Sequence, residues 1–209
     1  DQLIYFARLR GMDTSAAKKT INEWLEKFEA TTWKKKKIEE LSKGMQQKIQ
    51  FIVTVMHNPS FIILDEPFTG FDPKNTQLIK DEIENLRNQG ASIMLSTHRM
   101  ENVEAICDNV VLLNKANVVA QGTVMDVRNS LKDNTYSLTY RGELKATQFT
   151  GIDIKENVQK DGNTTLLFTY NDKPDIQLLN NPLIQISEYR EVIPSMQEVF
   201  LTLTDSSHE

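Results

Sequence analysis

Two adjacent carboxylates, Asp65 and Glu66, end a run of four apolar residues, Phe61 to Leu64, and Pro67 stops the run. A short unbroken apolar run suits a strand buried on both faces, as in a parallel sheet covered by helices. In open α/β sheets the ligand crevice lies off the carboxyl ends of the strands, so Asp65 and Glu66 stand where a phosphate and its metal would sit. Taken alone, the same string also suits a buried strand ending in a solvated acidic turn. Upstream lies LSKGMQQK, residues 41–48, in which Ser42 and Gly44 stand at the start of a helix expected from Met45 to about His57. A serine and a glycine at a helix start offer a hydroxyl, free backbone amides and the positive end of the dipole, the ingredients of an anion site. Simple capping by Ser42 accounts for the serine equally well. One helix of about a dozen residues and a short turn separate this helix start from Asp65, which joins an anion-binding group to a metal-type carboxylate.

These groups need a buried scaffold to hold them. The chain has 209 residues, 39% hydrophobic and 25% charged, enough for one or two soluble domains with a core. A formal charge of −5 argues against nucleic-acid binding through a basic face. The only strongly basic run, Lys34 to Lys37, reads as a solvated turn. Cys107 is the single cysteine, which excludes an intramolecular disulfide and suits a reducing compartment; its apolar surroundings predict a packing role. No apolar run approaches the roughly 18 residues of a membrane span, and no secretory signal is legible.

In chain order, DQLIYFARLRG lacks an initiating Met and begins inside what reads as a helix stopped by Gly11, so a piece of a longer protein is expected. Asp13 or Thr14 can cap a second helix from Ser15 to about Phe28, with Ala17, Ile21, Trp24, Leu25 and Phe28 on one face. The helix after Ser42 carries Ile49, Ile52, Val53 and Met56 inward, and Asn58 and Pro59 end it. A strand over Ser92 to Leu95 leads into Ser96, Thr97 and His98, followed by a short helix from Arg99 to Ile106. Asn109 to Leu113 reads as a further buried strand, returning through Val118 to Ala120 with Asn117 left-handed in the turn. Thr123 can cap a helix to about Leu131.

With these strings in order and at these intervals, the chain resembles the ATP-binding subunits of ABC transporters. LSKGMQQK is similar to the family's signature loop, ILDEP to its Walker B strand, TGFDP (Thr69 to Pro73) to its D-loop and STH (Ser96 to His98) to its switch histidine. The helical first forty residues look like the family's helical subdomain, and the likeness covers about residues 1 to 130. The signature departs from the commonest LSGGQ form at Lys43 and Met45, while the second glycine, Gly44, is kept.

The resemblance supplies roles. Asp65 would hold Mg²⁺, and Glu66 would be the general base that orients and deprotonates the attacking water. His98 would bond the γ-phosphate and that base. Ser42, Lys43, Gly44, Met45 and Gln46 of the signature would meet the ATP bound to a second nucleotide-binding subunit in a head-to-tail dimer. Asp72 would stand at the dimer seam, a position compatible with its capping a helix that starts near Lys74. In the family a P-loop and a glutamine loop precede the segment like DQLIYFARLRG. None of the eight glycines here is followed by lysine, so no G-x-x-x-x-G-K-[ST] cradle is present. Gln2 belongs to the first helix and is not the missing glutamine. The expectation is that the P-loop and Q-loop have been cut away, that this chain alone neither binds nor hydrolyses ATP appreciably, and that sheet surface normally covered by neighbouring strands is bare.

The fold expected is therefore α/β: a partial P-loop NTPase (ABC ATPase) core with helical subdomain and parallel sheet over residues 1–134, and a small C-terminal α+β domain over 135–209. In the latter, Tyr136 to Tyr140, Thr164 to Tyr170 and Ile184 to Arg190 read as strands, with turns at Arg141–Gly142 and Asp161–Gly162. Ser195 and Glu198 form a capping box before MQEVFLTLT. The PS-x-x-E-V-F string there resembles the ending of ATPase subunits from drug- and sodium-export systems. The resemblance thus implies an ATPase subunit at the cytoplasmic face of the membrane, working with a separate transmembrane permease, without nucleic acid and without inserting into the bilayer. A soluble non-transport ABC ATPase acting on ribosomes or DNA is the alternative, and a binding module without enzymatic purpose a weaker third.

Overall fold

The computed structural model describes residues 2–143, 151–170 and 183–205. The chain divides into two compact units, Asp1–Arg99 and Met100–Glu209.

The first unit opens with helix α1 (Gln2–Leu9), which ends before Gly11 at φ +86°. Helix α2 (Thr14–Lys27) starts where the Asp13 carboxylate accepts the amides of Ser15 and Ala16, so of the two candidate caps Asp13 serves. Ala17, Ile21, Leu25 and Phe28 are buried, as the helical spacing requires. Lys34 to Lys37 are exposed between two short 3₁₀ turns, Thr31–Trp33 and Ile38–Glu40. Helix α3 (Lys43–Val55) begins two residues earlier than expected, because Ser42 caps it directly. Its buried face is also rotated from the expected one. Phe51, Ile52, Val55 and Met56 are inside, whereas Ile49 and Val53 line a groove of about 860 Å³ with Leu3, Phe6 and the lysine turn.

Strands β1 (Phe61–Asp65) and β2 (Ser92–Ser96) pair in parallel, with Asp65 opposite Ser96. Helix α4 (Pro73–Asn88) connects them, capped by Asp72 with proline in its first turn. The expected double-sided burial of β1 is not found. Ile62 and Leu64 are buried, but Phe61 and Ile63 are exposed, as is Met94 on β2. Alternate side chains of a strand face opposite sides of the sheet, and in these two strands only one side is covered. The expectation of bare apolar sheet surface holds here.

The second unit begins with helix α5 (Met100–Ile106), then strands β3 (Asn109–Asn114) and β4 (Asn117–Thr123), joined as an antiparallel hairpin. Leu112 is buried and Val111 and Leu113 are exposed, so β3 is one-sided like β1. The left-handed residues of the turn are Lys115 (φ +47°) and Ala116 (φ +64°), not Asn117. A two-residue hairpin turn needs positive φ at its two central positions, and pairing of Asn114 with Asn117 puts those one residue earlier. Thr123 caps α6 (Val124–Asn129).

Strands β5 (Thr135–Gly142), β6 (Ile152–Lys160), β7 (Asn163–Tyr170) and β8 (Ile184–Glu191) form an antiparallel sheet in the order β6-β7-β5-β8. Strand β6 escaped the sequence reading: its residues are exposed or half-buried along an edge, and the alternation begun by Ile152 and Ile154 breaks at Glu156, where the register shifts. Arg141 and Gly142, expected as a turn, continue β5 opposite Gln185 and Ile184. Asp161–Gly162 is the turn expected, both residues at positive φ. Leu138, Tyr140, Leu166 and Phe168 form the core of this sheet.

Helix α7 (Met196–Asp205) packs elsewhere. Met196 and Val199 join Met100, Val103, Leu112, Val124 and Val127 in a separate core, which Cys107 also touches. The capping box forms as its sequence dictates: Ser195 Oγ accepts the Glu198 amide at 3.2 Å and Glu198 Oε2 accepts the Ser195 amide at 2.7 Å. Among the described residues no helix is long and apolar enough to cross a membrane.

Candidate functional site

Parallel pairing of β1 and β2 sets the site, because it brings the residues that end each strand to the same edge. Asp65 is exposed there, and the Ser96 hydroxyl donates to its Oδ1. Glu66 then leaves the strand in a left-handed conformation, φ +45°, unusual for a residue with a side chain and costing about 1 kcal/mol. Its amide still bonds the Ser96 carbonyl at 3.0 Å, so the turn is tied to β2 while the carboxylate swings toward the segment after it.

That segment receives the carboxylate. Glu66 Oε1 accepts the His98 backbone N–H at 2.9 Å and lies 2.7 Å from His98 Nδ1. Oε2 has two hydroxyls at 3.4 Å, those of Thr69 and Thr97. Burial opposes ionisation of Glu66, but the bonds from the His98 ring and backbone outweigh it and hold the carboxyl below its ordinary value. The Glu66 side chain remains about one third exposed and the His98 side chain 74% exposed, so the pair is open to solvent and to a ligand. Thr69 and Thr97 fall inside the strings TGFDP and STH, yet nothing in their spacing singled them out; a hydroxyl next to an acid is the signal available.

The signature residues form a second group. Ser42 Oγ accepts the Met45 amide at 3.3 Å, the capping arrangement. Lys43 is exposed, and Gly44 and Met45 are half-buried in the first turn of α3. Gln46 turns back on its own chain, its amide donating to the carbonyls of Ile38 at 3.1 Å and Leu41 at 3.0 Å. Asp72 is committed to capping: its Oδ1 accepts the Asn75 amide at 2.8 Å and its Oδ2 the Asn75 side chain at 2.7 Å. The Asn75 amide is the largest influence holding its carboxyl below the ordinary range. Gly70 links the two groups. It follows Thr69 on the Glu66 side, and its carbonyl lies 3.5 Å from where a Cβ on Gly44 would stand.

Asp65, at the acidic end of β1, is the residue that could hold a metal. Among the described residues no group of three or more acidic, histidine or cysteine side chains gathers to cage an ion. Asp65 is a single exposed hard-oxygen donor, which suits Mg²⁺, an ion that keeps several waters and takes phosphate oxygens as further ligands.

The sequence profile of the family described as "ABC transporter" matches residues 2–69. An uncharacterized ABC transporter ATP-binding protein of Alkalihalophilus pseudofirmus is 35% identical over 205 residues, which span 96% of this chain and 75% of that protein. The chain belongs to the ABC transporter ATP-binding family. The uncharacterized family member YhaQ of Bacillus subtilis is 46% identical over 148 residues, 71% of this chain but 50% of YhaQ, so the chain spans about half the length of that relative. A solved structure of the ATP-binding subunit of an ABC transporter superposes with a TM-score of 0.56 at 30% identity, covering 61% of this chain and 55% of the other. In this ABC family member the α/β fold thus has an experimental counterpart over 61% of the chain.

Proposed function

We propose that this chain carries the water-activating and partner-facing residues of an ATP-hydrolysing subunit that powers export through a separate transmembrane permease. The observation that carries the reading is the double contact of His98 with Glu66 Oε1 at the end of a parallel strand. A carboxylate kept ionised, partly open and oriented by a histidine is equipped to align a water and accept its proton. Glu66 is the base; His98 fixes its direction, and its exposed ring is free to meet the γ-phosphate. Catalysis of phosphoryl transfer otherwise rests on positioning and charge stabilisation.

Asp65 would hold Mg²⁺, which when bound neutralises charge on the phosphates. Ser42, Lys43, Gly44 and Met45 face the ATP of a second subunit in a head-to-tail dimer, where the amides at the start of α3 stabilise negative charge. Gln46 supports that turn from behind through Ile38 and Leu41. Asp72 shapes the seam by fixing the start of α4. A G-x-x-x-x-G-K-[ST] cradle is absent from these residues, so the 209-residue chain by itself neither binds nor hydrolyses ATP appreciably. Saturable micromolar ATP binding by this chain in a calorimeter would contradict that.

The export direction is supported by the PS-x-x-E-V-F string, whose Ser195–Glu198 box caps α7. The subunit works at the cytoplasmic face, peripheral to the membrane. Co-purification of the full-length protein with an integral membrane partner tests this; pelleting with ribosomes or DNA instead would favour a non-transport ATPase.

A further inference from the structure

Gln47 belongs to no role described so far, yet its side chain reaches across to the loop that holds Glu66. Its Oε1 is buried and has no hydrogen-bond partner among the described residues. The atoms it meets are those of Gly70: a Cβ there would lie 2.8 Å from Oε1 and 3.5 Å from both Cδ and Nε2. Gly70 has φ +80°, and its carbonyl in turn approaches Gly44, one turn back along α3. The residue before it, Thr69, is bonded to Glu66 twice, amide to carbonyl at 3.1 Å and hydroxyl to Oε2 at 3.4 Å. A packed path therefore runs from the signature helix through Gln47, Gly70 and Thr69 to Glu66.

We infer that Gln47 is a positioning residue: its side chain is a steric spacer that sets the distance between the signature helix and the loop carrying the base, packed against a position that its φ of +80° reserves for glycine. The inference rests on the proposed role of Glu66 for its kinetic consequence, but not for its structural one. Because Oε1 finds no hydrogen-bond partner among the described residues, it is the length and bulk that position 47 brings against Gly70 that matter, not a bond from that oxygen.

The test uses two measurements. In the full-length protein assembled with its partners, Gln47→Ala lowers kcat for ATP by about tenfold, as expected of a small misplacement of the base, and leaves KM nearly unchanged. Gln47→Met, similar in length without the amide, restores most of kcat. In the 209-residue chain, the amide resonances of Thr69 and Glu66 shift in Gln47→Ala and stay close to wild type in Gln47→Met. Wild-type kcat in Gln47→Ala, in a protein that Glu66→Gln inactivates, overturns the inference and leaves the proposed function standing. Unmoved Thr69 and Glu66 resonances overturn it as well. If the assembled protein hydrolyses no ATP, the proposed function fails and the resonances alone decide the spacer.

Discussion

His98 meets one oxygen of Glu66 with two of its nitrogens, the backbone N–H at 2.9 Å and ring Nδ1 at 2.7 Å. The backbone contact survives any substitution of the histidine that keeps the loop, whereas the ring contact does not. Orientation of the carboxylate is thus shared between the fold and a side chain.

This sharing gives a pH signature. The Glu66 carboxyl is held below its ordinary value of about 4.5, because the bonds from His98 outweigh the burial that opposes its charge. A carboxyl with a depressed folded-state value contributes stability that is full above its unfolded value and is lost as pH falls through the folded one. The difference in unfolding free energy between wild type and Glu66→Gln should therefore be constant near neutral pH and change only below about pH 4.5. Urea denaturation of both proteins across that range checks it. A difference that changes mainly near neutral pH would contradict this.

Lys27 and Glu82 tie α2 to α4 at 2.6 Å, with the Glu82 side chain 4% exposed and Lys27 at 45%. Lys27→Met leaves a buried carboxylate with only the Asn85 amide, at 3.4 Å, and should destabilise the chain by on the order of 2 kcal/mol. Glu82→Gln, which needs no cation, should cost less. Thermal denaturation of the two variants gives the order.

Ser42 has a structural duty separable from any ligand. Loss of its cap in Ser42→Ala should cost about 1 kcal/mol, and Ser42→Gly only a few tenths. If the hydroxyl also meets a phosphate, Ser42→Gly should impair turnover of the assembled protein far more than its stability. Paired unfolding and ATPase measurements separate the two duties.

Helix α7 closes the core of Met100, Val103 and Leu112 through Met196, which is fully buried and whose amide donates to Glu104 Oε1 at 2.5 Å. Met196→Ala should cost about 3 kcal/mol through the cavity it leaves. A loss under about 1 kcal/mol in chemical denaturation would mean that α7 does not hold this core together.

Much of this was legible in the residues. Asp13, Asp72, Thr123 and Ser195 all cap the helices their positions suggested, because a cap depends on only three or four neighbouring residues. Asp65 meets Ser96 and Glu66 meets His98 because two short apolar runs pair in register, Asp65 against Ser96. What was not legible depends on what lies across from an element. Ile63 and Val111 read as buried, since an apolar run does not say whether one or both faces are covered. Strand β6 starts an apolar alternation at Ile152 and Ile154 that Glu156 breaks, and its place came from pairing with β7. The contact between Gln47 and Gly70 joins residues more than twenty positions apart, beyond the reach of any local rule.

If Glu66 is the base of an ATP site, one substitution in the assembled full-length protein shows it. Glu66→Gln keeps the size of the side chain and removes its ability to take a proton. Steady-state hydrolysis should fall by at least about 100-fold while ATP affinity is retained. A Glu66→Gln protein that binds ATP and hydrolyses it at the wild-type rate would remove Glu66 from the role of base.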